Sequence, residues 1–221
     1  MNLQFDLISK LAEGLKEGAE KLVVPDAVKR LDDKRWYVVR NMLYLVRECE
    51  GRTFIKRIRQ FMKHPEQRVV LEALKTLLYF RTPDSISYIR FYLQGKDPEF
   101  REQAARLAGT YKIKEVVPCM VELLAEKDMF GTKSNYKICL IHALREIGDP
   151  GVLGALHQIY QSNALLNRTD LEKLKIEIFK SLHGYTFAEI RPLLQLGMQS
   201  KVREIKAISE KLLRTGGGKV D

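Results

Sequence analysis

The sequence predicts an all-α fold, a right-handed α-solenoid of about five helical hairpins with capping helices at both ends. Three observations predict it. Apolar residues recur at helical spacing along most of the chain. The pattern repeats five times in one register. No stretch alternates as a half-buried strand does.

The register is set by an anchor in the first helix of each unit: Val39, Val70, Arg101, Lys137 and Lys175, spaced 31, 31, 36 and 38 residues apart. Three residues on come Met42, Ala73, Ala104, Leu140 and Ile178. Seven on come Val46, Leu77, Ala108, Leu144 and Leu182, and ten on come Cys49, Phe80, Tyr111, Ile147 and Tyr185. Offsets of three, seven and ten hold one face of a helix with 3.6 residues per turn. A turn then follows in each unit, at Glu50-Gly51, Thr82-Pro83-Asp84, Lys112-Ile113-Lys114, Gly148 to Gly151 and Gly184-Tyr185-Thr186.

The second helix of each unit is centred on Ile58, Ile89, Met120, Leu156 and Leu194, with the same spacings. Four residues on stand Met62, Leu93, Leu124, Tyr160 and Met198. Breakers mark the junctions: His64-Pro65, Gly95 to Pro98, Asp128 to Asn135 and Ser162 to Asp170. A last helix, Lys201–Leu213, reads as a half-unit that closes the stack. Before the array, Leu3–Val23 is amphipathic, with Lys and Glu mixed on its polar face. Residues 1–31 are therefore expected to be an amphipathic capping region. Residues 32–221 are expected to be the repeat array, continuous with that cap as a single domain.

Composition narrows the class. The 221 residues are 45% hydrophobic, too apolar for a disordered chain. The three cysteines cannot all pair with one another, which reads as thiols in a reducing compartment, and hence as a cytoplasmic protein. No window approaches the apolar length of a membrane span. The net charge of +10 splits as +6 over residues 1–110 and +4 over 111–221, so there is no basic tail.

Residues 137–150 of the fourth unit, KICLIHALREIGDP, carry a basic residue, an apolar run, Ala-Leu and a terminal Ile-Gly-Asp. Residues 97–109 of the third, DPEFREQAARLAG, match the start of that pattern. These segments resemble the short bacterial HEAT repeat, also called PBS-lyase-like, of the armadillo-like helical superfamily. Units one and two have Val39 and Val70 at the basic position, and unit five is looser. The resemblance runs from about Asp32 to Leu213. It implies the solenoid fold, and it implies little about function, because HEAT folds serve scaffolds, adaptors, nucleic-acid binders and some enzymes.

Positions one, five and eight beyond each anchor are expected to face the concave groove of such a stack. The candidate groove residues are Tyr44, Arg47, Lys75, Arg106, His142, Arg145 and Lys180. Five of them are Arg or Lys, a ladder suited to an acidic protein partner or a phosphate backbone. Glu48, Glu72, Glu102, Glu146 and Glu177 are close enough in sequence to neutralise it. A second candidate is an outer face. The run from Gly51 to Pro65 holds Arg52, Lys56, Arg57, Arg59 and Lys63 and no acid, on an expected amphipathic helix whose charges point outward. Tyr88 and Phe91 take the positions of Arg57 and Gln60 in the next unit, where aromatics suit a partner surface or stacked bases. Trp36 and Tyr37 are expected to staple the first unit to what precedes it.

No catalytic motif is present: no Cys-x-x-Cys, no Gly-rich phosphate loop and no nucleophile elbow. His64, His142, His157 and His183 are scattered along the array, with only His142 and His183 sharing the groove, so no metal set is expected. The cysteines read as small apolar residues; Cys139 occupies an otherwise polar position, which suggests partial exposure, with a reactive thiol there as a minor alternative. The function expected is a non-catalytic protein–protein interaction or scaffold module, needing no cofactor and binding no membrane. The alternative is nucleic-acid binding. Third comes an enzyme like the HEAT-type lyases or the HEAT-like alkylpurine DNA glycosylases. For the latter, Tyr44 with Glu48 or Glu72 are the loose counterparts.

Overall fold

The computed structural model describes residues 25–126, 128, 132–163 and 168–216, and every regular element among them is helical. The amphipathic Leu3–Val23 segment lies outside the described residues. A helical stretch at 25–29 runs into a 3-10 turn, Arg30–Asp32. The α-helices that follow are α1 (Trp36–Glu48), α2 (Ile55–Arg59), α3 (Gln67–Tyr79), α4 (Pro83–Leu93), α5 (Pro98–Thr110) and α6 (Val117–Ala125). After them come α7 (Ser134–Ile147), α8 (Leu153–Gln161), α9 (Arg168–Ser181), α10 (Phe187–Met198) and α11 (Arg203–Arg214).

The chain forms two compact units that meet in sequence between Tyr88 and Ile89, within α4. In the first unit α1 packs on α3, and α2 with its flanking 3-10 turn packs on α3 as well. In the second, α7 lies against both α5 and α9, and α9 against α11. A second row runs alongside, with α8 touching both α6 and α10.

The five-fold register is visible in burial. Ile58, Ile89, Met120, Leu156 and Leu194 are all at most 1% exposed. On the first helices, every residue three, seven or ten beyond an anchor is buried except Met42 and Tyr111, which are half-buried.

Turn geometry repeats too. Glu50, Arg81, Lys112 and Gly148, each eleven residues past an anchor, have φ of 56°, 51°, 50° and 68°. In the first three units the left-handed residue is followed by an amide that reaches back to the helix. The N–H groups of Gly51, Thr82 and Ile113 donate to the carbonyls of Val46, Leu77 and Ala108 at 2.8, 3.0 and 2.9 Å. This is the Schellman closure, and it satisfies helix-end carbonyls otherwise left without donors. Only one of these four left-handed positions is filled by glycine. The other three carry Cβ strain of about 1 kcal/mol each.

The basic anchors have a structural role. Lys137 on α7 is buried, and its Nζ donates to the carbonyl of Glu126, just past α6. Lys175 on α9 does the same to the carbonyl of Ser162, just past α8, at 2.6 Å. Burial pushes both amines below their usual range. A cation at a helix C-terminus is favourable, because it faces unpaired carbonyls and the negative end of the dipole. Tyr136 closes α4 with a neutral donor, its hydroxyl donating to the Leu93 carbonyl at 2.8 Å, and Arg101 lies over its ring at 4.0 Å.

One expected helix is broken. Residues 52–63 form a 3-10 turn (Arg52–Phe54), the five-residue α2 and a second 3-10 turn (Gln60–Lys63). Pro65 ends the run by holding His64 extended, at φ −68° and ψ 140°. Trp36 is half-buried, with the guanidinium of Arg68, from α3, over its ring at 4.9 Å. Tyr37 stands 41% exposed.

Candidate functional site

The second unit carries a cleft of about 720 Å³ along α5 and α7. Its floor is Gly109 and Ala143. A Cβ at Gly109 would stand 3.0 Å from the Ala143 Cα, so glycine is what lets the two helices approach here. Glu102, Arg106, His142 and Arg145 line the walls, and Thr110, Asn135, Ile138, Cys139 and Glu146 also border it. The first four occupy groove positions one, five and eight of units three and four, or pair with residues that do. Thr110 and Asn135 fall nine residues past Arg101 and two before Lys137, columns that helical spacing alone had not marked.

Every candidate groove cation has a carboxylate partner. Arg106 lies 3.8 Å from Glu102, and Arg145 bonds Glu146. The His142 Nε2 meets Glu177 at 2.9 Å. Lys180 reaches Glu177 at 3.1 Å and Glu204 at 3.0 Å, and both bonds push its amine above the usual range. Burial pushes Glu177 up, but the bonds from His142 and Lys180 outweigh it and hold the carboxyl below its ordinary value. In the first unit, Arg47 meets Glu72 at 2.6 Å and Glu48 at 3.2 Å, with its guanidinium over the Tyr44 ring at 4.9 Å. Lys75 is 3.8 Å from Glu72. All five carboxylates anticipated from sequence are used in this way.

The outer face is compensated only in part. Arg59 makes a two-pronged pair with Asp84 at 2.7 and 2.9 Å, and Arg57 bonds Asp32. These two charges do not point freely outward, because their acids arrive from 25 residues away in sequence. The Arg52 Nη2 donates to the neutral carbonyl of Phe80 at 2.8 Å. Lys56 and Lys63 are exposed, and among the described residues no carboxylate lies within 4.0 Å of either. On α4, Tyr88 is half-buried and Phe91 is 69% exposed.

Cys139 is not a partly exposed thiol. It is buried, its Sγ lies 3.5 Å from the Glu102 carbonyl, and burial pushes its pKa up. It borders the cleft, with little of its surface exposed. A protonated, buried thiol is a poor nucleophile. The rings of His142 and His183 go to different partners, the latter to the Lys180 carbonyl at 2.6 Å. Among the described residues no three His, Cys, Asp or Glu side chains group as a metal site, and no helix is long and apolar enough to cross a membrane. The Glu72 carboxylate is taken up by Arg47 and Lys75, which leaves the Tyr44–Glu72 counterpart of a glycosylase site without a free acid.

No protein-family model matches the chain, and no curated protein matches it. Among solved structures it is similar to the crystal structure of an engineered protein, with 16% identity over 88% of this chain and 97% of that one, at a TM-score of 0.50. That likeness concerns the helical fold alone.

Proposed function

We propose that the chain is a right-handed α-solenoid of HEAT-like hairpins and a non-catalytic module that docks another protein in the α5–α7 cleft. Support for the repeat fold comes from burial that recurs every 31 to 38 residues, and from the left-handed turns and helix-end closures that keep the same register. The observation that carries the functional reading is the mixed sign of the cleft rim. Arg106, His142 and Arg145 stand there with Glu102 and Glu146, and Glu177 pairs with His142. A phosphate backbone demands net positive charge, whereas a protein surface offers both signs and can exchange pairs with such a rim. A small floor of Gly109 and Ala143 admits a close-fitting side chain or helix ridge.

The test is capture from a cell lysate by the immobilised chain and by its Arg106→Glu, Arg145→Glu variant. The proposal expects specific proteins held by the first and lost by the second, with far-UV circular dichroism unchanged. Identical capture by both overturns it.

A further inference from the structure

The groove and the outer face differ in one respect that bears on a second activity. Each groove cation is matched by a carboxylate. On the segment from Arg52 to Lys63, Asp32 and Asp84 are spent on Arg57 and Arg59, and among the described residues three positive charges have no carboxylate within 4.0 Å. Arg52 spends one N–H on a neutral carbonyl, which leaves its charge intact. Lys56 and Lys63 are exposed with no acid beside them among the described residues. The three are spread along the segment, one in each 3-10 turn and one in α2, and all three are exposed. The apolar residues of the segment turn inward: Ile58, Phe61 and Met62 are buried, and Phe54 and Ile55 are half-buried. The face thus offers charge without an apolar anchor.

We infer that Arg52, Lys56 and Lys63 form a sequence-independent contact for the phosphate backbone of a nucleic acid. A lipid surface would call for exposed apolar side chains to enter the acyl boundary. A protein partner would call for a packed apolar centre within the patch. A phosphodiester chain needs only repeated cations, and it repays them by releasing condensed counterions. The fixed pairs Arg57–Asp32 and Arg59–Asp84 hold the segment in place without adding net charge. This site lies in the first unit and does not depend on the cleft.

The experiment is fluorescence anisotropy of labelled single-stranded and duplex DNA of random sequence, between about 50 and 200 mM salt. Three contacts to a single strand predict that affinity falls about 20-fold over that range, from a log–log slope near −2. The Arg52→Gln, Lys56→Gln, Lys63→Gln variant is expected to lose that slope and to bind at least about tenfold more weakly at the low-salt end. The Lys75→Gln, Arg106→Gln variant, altered in the groove, is expected to keep both. Polyglutamate at equal charge is the control for an acidic protein. The inference is overturned by absence of binding at low salt, by an unchanged slope in the triple variant, or by polyglutamate competing as well as DNA.

Discussion

The Arg47 guanidinium on α1 and the Glu72 carboxylate on α3 meet at 2.6 Å, with side chains only 12% and 7% exposed. The pair bridges the first helices of successive units. Taking both charges out of water is costly, and their attraction roughly returns that cost. Removing one partner is therefore worse than removing both. Arg47→Met alone is expected to cost about 3 kcal/mol, because it leaves buried Glu72 with only the longer Lys75 contact, while Arg47→Met with Glu72→Leu is expected to cost less. Urea denaturation of the four chains in the cycle measures this. Additive losses would mean that the two charges do not act as a pair.

The left-handed turns predict an unusual gain. Arg81 and Lys112 hold φ near 50° without being glycine. Arg81→Gly and Lys112→Gly are each expected to stabilise the chain by about 0.5 to 1 kcal/mol, since relief of Cβ strain exceeds the added freedom of the unfolded chain. Gly148→Ala, at the matching turn of the fourth unit, is expected to cost about 1 kcal/mol. Shifts in denaturation midpoint with these signs support the repeated turn, and shifts of the opposite sign contradict it.

Glu177 sets part of the acid response. Its folded pKa lies below the ordinary glutamate value of about 4.5, despite burial, because His142 and Lys180 bond the charged form. A carboxylate of this kind contributes stability that is present above about pH 4.5 and lost as pH falls through its folded pKa. Glu177→Gln is expected to lower stability at neutral pH and to flatten its decline on acidification. Equal slopes for the two chains below pH 4.5 would show that Glu177 is not coupled to folding.

The thiols are expected to be silent in the folded chain. Cys49, Cys119 and Cys139 are buried, and burial pushes each pKa up. A thiol reagent at neutral pH is expected to label none of them quickly in the folded chain, and all three in denaturant. Rapid labelling of Cys139 in the native chain would restore it as a reactive group.

Much of this architecture is legible in the residues. The anchors Val39 to Lys175 locate the first helices, and Ile58 to Leu194 locate the second row, because burial follows helical periodicity closely. In the second unit Glu102, Arg106, His142 and Arg145 line one cleft, since side chains at one, five and eight beyond an anchor share a face. What escapes the pattern depends on contacts between segments. Arg57 and Arg59 look free along their own run, but Asp32 and Asp84 come from neighbouring turns. Cys139 looks exposed by its column, but it is buried at the cleft with its Sγ against the Glu102 carbonyl of α5. The broken helix around α2 escapes because its apolar spacing fits a short α-helix flanked by 3-10 turns as well as one continuous helix. The lysine caps at Glu126 and Ser162 were present as a basic column, yet their acceptors are backbone carbonyls that no side-chain pattern records.

The most direct test of the cleft as a docking site is site-specific photo-crosslinking. A photoreactive phenylalanine analogue at Asn135, on the cleft lining, is expected to join the chain covalently to a partner protein in a lysate. The same group at Glu122, exposed on α6, is expected to leave that partner uncoupled. A partner crosslinked from Glu122 and not from Asn135 would contradict the account.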